Sequence, residues 1–244
     1  MAELDLTKHL GGLKATNELI ELCHIDKGKY VLDVGCGVGM TPCYIAKRYG
    51  CRVVGIDISN RMIERANERA RRRGVEDRVK FKIADVQNLP FKDALFDVVI
   101  GESFLPMVED KQKAVEECVR VAKPGGYVGF NETTWMKAPT PELLAYLSRT
   151  YGSDPEILTP DGWKQLLGDS GLKDVVARTH EITVSSEFVE RIRRYGLKHF
   201  LGIWYRFFSL YIVKPTYRTF LKEALSQPKQ LSEHWRYGIY VGRR

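Results

Sequence analysis

The sequence predicts an α/β protein: a doubly wound, mostly parallel seven-stranded sheet with a helical insertion before its last strand. Three observations carry that prediction. Short apolar runs alternate with stretches of helical periodicity along the chain. The first run, Tyr30 to Val34, has no helical spacing and is apolar enough for a strand buried on both faces. It leads at once into Gly35, Gly37 and Gly39, a turn that side chains would block and where a ligand can approach the main chain.

The chain has 244 residues, enough for one α/β domain with an embellishment. Five cysteines without a CxxC pair argue against a disulfide framework or a zinc knuckle, and no metal site is expected. Cys36, Cys43 and Cys51 raise a site of converging thiols for arsenite, which is disfavoured because Cys43 and Cys51 fall within regular elements. No signal-like segment or uncharged run long enough to span a membrane is seen, so a cytoplasmic protein is expected. The net charge of +7 comes from 38 Lys and Arg against 31 Asp and Glu, which permits a nucleic-acid partner without requiring one.

Each element then follows in order. Leu4 to Ile25 fits a helix interrupted by Gly11-Gly12, packed over the sheet from outside. Met40 to Tyr49 is the first crossover helix, with Pro42 tolerated in its first turn. Cys51 to Asp57 is the second strand, and Asp57 stands where an acidic side chain can accept bonds from both ribose hydroxyls. Arg61 to Arg73 is an amphipathic helix with Met62, Ile63, Ala66 and Ala70 inward, its arginines a solvated face, and Gly74 as its stop. Val79 to Ala84 is the third strand and Asp97 to Gly101 the fourth. Lys111 to Ala122 is helical, and Lys123-Pro124-Gly125-Gly126 breaks it before a fifth strand at Tyr127 to Asn131. Pro139 to Tyr151 and Thr159 to Ser170 read as helices, Lys173 to Ser185 as the sixth strand and Arg236 to Gly242 as the last.

Asp33-Val-Gly35-Cys36-Gly37-Val-Gly39 resembles the acidic-x-Gly-x-Gly-x-Gly signature of class I S-adenosylmethionine-dependent methyltransferases. A nicotinamide or flavin turn would read Gly-x-Gly-x-x-Gly; here the third glycine comes one residue early. The run Ala84-Asp85-Val86-Gln-Asn-Leu-Pro-Phe is similar to the family's adenine-binding segment. The resemblance implies a Rossmann-like methyltransferase fold with S-adenosylmethionine as cofactor. It places Asp33, Gly35, Cys36, Gly37 and Gly39 at the turn, Asp57 and Ile58 at the ribose, Asp85 and Val86 at the adenine, and Gly101 beside the methionine end. His9, Glu102 and Glu132 are the candidates for a general base. His9 also reads as a surface histidine beside a flexible hinge, and Glu132, Thr133 and Trp135 equally as packing residues.

About fifty residues separate the last two strands, far beyond an ordinary hairpin loop of about 2 to 5. The domain reading is therefore an N-terminal helical lid at 1–28, a core at 29–185, a helical insertion at 186–230 and the last core strand at 231–244. The insertion interleaves aromatics such as Trp204 and Tyr205 with Lys and Arg, which suits an apolar substrate, peripheral membrane contact through 188–222, or plain cover for the sheet. By resemblance to the quinone, sterol and tocopherol type, the leading expectation is methyl transfer to a small apolar, lipid or isoprenoid acceptor. The alternatives are a tRNA or rRNA methyltransferase and a non-catalytic cofactor-binding protein. The missing Asn/Asp-Pro-Pro-aromatic motif disfavours nucleic-acid amine methylation, and the sequence leaves the oligomeric state open.

Overall fold

The computed structural model describes residues 9–151, 154–181, 228 and 231–244. Seven strands form one sheet in the order β3-β2-β1-β4-β5-β7-β6. They are β1 (Tyr30–Val34), β2 (Arg52–Asp57), β3 (Val79–Ile83), β4 (Phe96–Glu102), β5 (Ala122–Trp135), β6 (Lys173–His180) and β7 (Trp235–Arg243). The first five run parallel, and β7 lies antiparallel between β5 and β6. Strand order reverses between β1 and β4, which opens a crevice at their carboxyl ends.

Helices cover both faces. On one side α1 (Gly12–Leu22), α2 (Met40–Tyr49) and α3 (Asn60–Arg73) place Leu19, Ile20, Cys43, Ala46 and Ala70 over Val31, Val53, Val98 and Ile100. On the other, α4 (Lys111–Val121) and α6 (Pro160–Asp169) pack Val115, Cys118 and Trp163 against Leu32, Val34, Val99 and Val128. Neighbouring strand residues thus feed opposite cores, which is why the strands read as continuous apolar runs. Between these two helices, α5 (Pro141–Tyr151) joins Trp135 and Ile157 in a smaller cluster, with Leu231 from α7 (Leu231–His234).

Several expectations shift. Gly11 and Gly12, at φ of 75° and 54°, stand at the start of α1, and the part of the expected helix at 4–8 lies outside the described residues. The fifth strand is much longer than Tyr127 to Asn131. It pairs with β4 from Ala122 opposite Phe96 and with β7 as far as Trp135 opposite Trp235, and Pro124-Gly125-Gly126 is accommodated where the β4 register shifts. The sixth strand ends at His180 rather than Ser185. In α3, Arg71 to Arg73 are exposed as expected, but Arg69 is 4% exposed: it donates to the Val38 carbonyl at 2.8 Å and to the Met40 sulfur. A guanidinium can be buried there because it satisfies a backbone acceptor in the loop before α2. Residues 1–8 and, apart from Pro228, the expected insertion at 186–230 with its 188–222 membrane segment lie outside the described residues. Among the described residues no helix is long and apolar enough to cross a membrane.

Candidate functional site

The crevice is built around the turn after β1, where Gly35, Gly37 and Gly39 all have positive φ, at 67°, 52° and 74°. Their roles differ. A Cβ on Gly35 would lie 2.7 Å from the Phe104 ring, and one on Gly39 would lie 2.6 Å from the ring of Phe81. Those two glycines let aromatic rings close on the turn. At Gly37 a Cβ would meet nothing within 4 Å, so the space over this residue is clear of the described residues. Of the three, Gly37 presents the bare main chain to a ligand.

Asp57, at the end of β2, stitches this turn in place. Its Oδ2 accepts from the Gly37 amide at 3.0 Å, and its Oδ1 from the Ser59 amide at 2.9 Å. A carboxylate has about four acceptor positions, so capacity remains for a ligand's hydroxyls. Beside it Ile58 is 74% exposed, and Ile83, paired with Asp57 across the sheet, is 50% exposed. Two large apolar side chains bared beside a carboxylate fit a flat ring attached to a sugar. Asp85 follows β3 and caps the short turn at 86–88, where it accepts from the Gln87 amide at 2.9 Å and from the Gln87 side chain at 3.2 and 3.3 Å. Val86 is buried behind it.

Asp33 is buried near the end of β1, and Cys36 is buried with its amide bonded to the Ile56 carbonyl at 2.8 Å. Burial, and then the charges of Asp33 and Asp57, push the Cys36 thiol well above its usual range; burial lifts Cys43 and Cys51 to about 11. These are uncharged thiols, and no cluster suited to a metal occurs among the described residues.

Across the crevice, the end of β4 is a hub. Glu102 accepts from Thr16 at 3.0 Å and from Thr41 at 2.6 Å, and the Asn131 amide lies 3.5 Å away. His9 Nδ1 lies 3.5 Å from the same carboxylate, with both side chains nearly buried. Leu10 is tied there too: its amide reaches Ser103 Oγ at 3.4 Å, and its carbonyl accepts from Asn131 at 3.0 Å. Gly11 fits against the Tyr237 ring, where a Cβ would come within 2.5 Å. The segment before α1 is thereby held over the ends of β4 and β5. Two expected site residues, His9 and Glu102, meet here.

Glu132 is placed differently from a substrate contact at a strand end. It is 0% exposed, and its Oε1 accepts from the Phe104 amide at 3.0 Å and the Leu105 amide at 3.1 Å. Thr133 and Trp135 are buried as well. Gly101 lies under the Phe104 ring. Sequence reasoning missed Phe104, Thr16, Thr41 and Asn131, since nothing in their spacing marks them; the folded strand order alone brings them together. A cavity of about 390 Å³ lies among α1, α2 and α3, with Thr16, Met40, Lys47, Arg48, Arg69 and Arg73 in its lining.

The chain was compared with known proteins. Residues 32–130 match the model of a methyltransferase domain family. The 27-O-demethylrifamycin SV methyltransferase of Amycolatopsis mediterranei is 31% identical over 194 residues, covering 76% of this chain and 71% of that one. Phosphoethanolamine N-methyltransferase 1 of Arabidopsis thaliana is 33% identical over 185 residues, covering 75% of this chain but only 36% of the relative. A solved S-adenosylmethionine-dependent methyltransferase from Thiobacillus denitrificans, in complex with S-adenosylhomocysteine, superposes with a TM-score of 0.68 at 19% identity, covering 98% of this chain and 93% of that one, a likeness of fold.

Proposed function

The chain belongs to the class I S-adenosylmethionine-dependent methyltransferases, and from that premise we propose that it methylates a small, largely apolar acceptor. The observation that carries a cofactor at this turn is the clear space over Gly37, bordered by the Asp57 carboxylate and the bared side chains of Ile58 and Ile83. In this reading the Gly37 main chain and Asp33 border the amino acid end of the cofactor, Asp57 takes the ribose hydroxyls, and Asp85 and Val86 bound the adenine. Gly35 and Gly101 keep the adjoining wall thin by admitting Phe104. When bound, S-adenosylmethionine supplies a methyl group already activated by its sulfonium.

The protein's share is then to align the acceptor and exclude water. Residues 1–28 act as a lid, consistent with the bonds that tie His9, Leu10 and Thr16 to Glu102, Ser103 and Asn131. Glu102 accepts from Thr16 of this segment and from Thr41 of α2, with His9 beside it, and of the candidate bases we assign His9 to the acceptor side. The apolar character of the acceptor is supported by Met107 and Met136, each 46% exposed just beyond β4 and β5, and by the aromatic-basic sequence at 188–222. Relatives named for 27-O-demethylrifamycin SV and for phosphoethanolamine agree on small molecules, though not on polarity.

The test is transfer of labelled methyl from S-adenosylmethionine into an extract of the source cells, followed by partition. Label in the organic phase is expected. Label in RNA would replace the acceptor with tRNA or rRNA, and binding without transfer would leave a non-catalytic cofactor binder.

A further inference from the structure

A buried carboxylate that no ligand can reach sits behind the crevice. Glu132 lies on β5 next to Asn131, which pairs with Glu102 across the sheet. One of its oxygens accepts the Phe104 and Leu105 amides; the other, Oε2, is buried and has no hydrogen-bond partner among the described residues. Those amides begin the short turn that follows β4. Its first side chain, Phe104, lies against both Gly35 and Gly101. An unbroken chain of contacts therefore runs from a core carboxyl through two backbone amides and an aromatic ring to the glycine turn.

We propose that Glu132 is a positioning residue for the cofactor turn, fixing the Phe104 ring against Gly35 and Gly101 through the Phe104 and Leu105 amides. The proposal rests on the reading of that turn as the S-adenosylmethionine site. It also replaces the general-base role considered for Glu132, because a side chain with no exposed surface cannot touch an acceptor.

The chemistry of the group suits this task. Burial, the dominant influence, pushes its carboxyl up to about 8; the two amide bonds act in the opposite sense. Glu102 on β4 raises it further and Lys111 on α4 lowers it. Tyr240 on β7 also faces it, with a hydroxyl held neutral by burial and influenced in turn by Asp161 on α6. With its carboxyl pushed up to about 8, the protonated form is favoured at neutral pH, and Oε1 accepts both amides. A glutamine amide reproduces that arrangement: one carbonyl acceptor, and N–H in place of O–H.

The experiment compares Glu132→Gln, Glu132→Asp and Glu132→Leu in the full chain by amide hydrogen exchange and by calorimetric titration with S-adenosylhomocysteine. Glu132→Gln is expected to keep both exchange protection at Phe104 and Leu105 and ligand affinity within about threefold of wild type, as a conserved acceptor requires. Glu132→Leu should lose protection at those two amides and bind about tenfold or more weakly, with α2 and α3 still protected. Should the leucine variant fail to fold, Glu132→Asp, one methylene short of the amides, decides: reduced protection with weakened binding supports the proposal. Opened amides with unchanged affinity would overturn it, as would unchanged protection. A wild-type chain that binds no S-adenosylhomocysteine would overturn the cofactor reading and the proposal with it, whereas exchange at Phe104 and Leu105 would still report the carboxyl's grip on the loop.

Discussion

Asp57 on β2 and Glu132 on β5 are carboxylates on opposite sides of the same crevice, and each accepts two backbone amides, Asp57 from Gly37 and Ser59 and Glu132 from Phe104 and Leu105. Asp57 is partly exposed and keeps acceptor capacity for a ligand; Glu132 is fully enclosed and is lifted toward neutrality. On the β1 and β2 side, then, the wall is backbone held by a charged group that water reaches. On the β4 and β5 side it is a loop held from inside the core by a group that water does not reach. The same side-chain chemistry thus becomes a water-accessible loop anchor or a buried strut according to depth.

The largest effect should come from wedging the two sides apart. Gly35→Val adds a branched side chain at φ of 67°, into the Phe104 ring. Strain and overpacking together are expected to cost about 3 to 5 kcal/mol, read as a large fall in melting temperature. A variant as stable as wild type would show that Phe104 yields freely and that the β4 side is not rigid.

The second test uses pH to separate the two carboxylates. Between its ordinary value of 4.5 and about 8, folded Glu132 holds a proton that the unfolded chain has released. Its contribution to stability is therefore complete below pH 4.5 and is lost as pH rises to about 8, at up to ~1.4 kcal/mol per unit. Denaturant titrations of wild type and Glu132→Gln across this window should show a shallower decline in the variant. Parallel curves would remove the contrast in protonation.

Asp57→Ala comes next. Loss of a charged acceptor from two amides and from the ribose should weaken S-adenosylhomocysteine by about 10- to 100-fold, with Asp57→Asn less affected. Unchanged affinity in calorimetry would deny the residue its ligand role and leave it a loop anchor like Glu132. The smallest change in stability is expected for Gly37→Ala, about 1 to 2 kcal/mol from its positive φ alone, since no protein atom would be met. The methyl group would nevertheless stand where the ligand approaches, so binding should fall at least about tenfold. A substitution that left binding intact would move the ligand off this glycine.

Much of the crevice was legible in the chain. Tyr30 to Val34 running into three glycines marked the first strand and its turn, and Asp57 at the end of the next apolar run marked the adjoining border. Arg69 was not legible, because helical periodicity records which face a residue lies on but not whether a carbonyl such as that of Val38 waits beneath it. Nor was Phe104 distinguishable from its neighbours, since its partners Gly35 and Gly101 are brought beside it by the parallel pairing of β1 with β4.

The sequence by itself determined the alternation of strands and helices, the position of the glycine turn and the family to which the chain belongs. Each is recorded in local spacing, where periodicity and backbone freedom act between near neighbours. Only the tertiary structure decided which glycine faces open space and which admits a ring, that Glu102 joins α1 to α2, and that Glu132 points into the core. Those outcomes depend on depth and on contacts between residues far apart in the chain, and it is depth that sets whether a carboxylate stays charged.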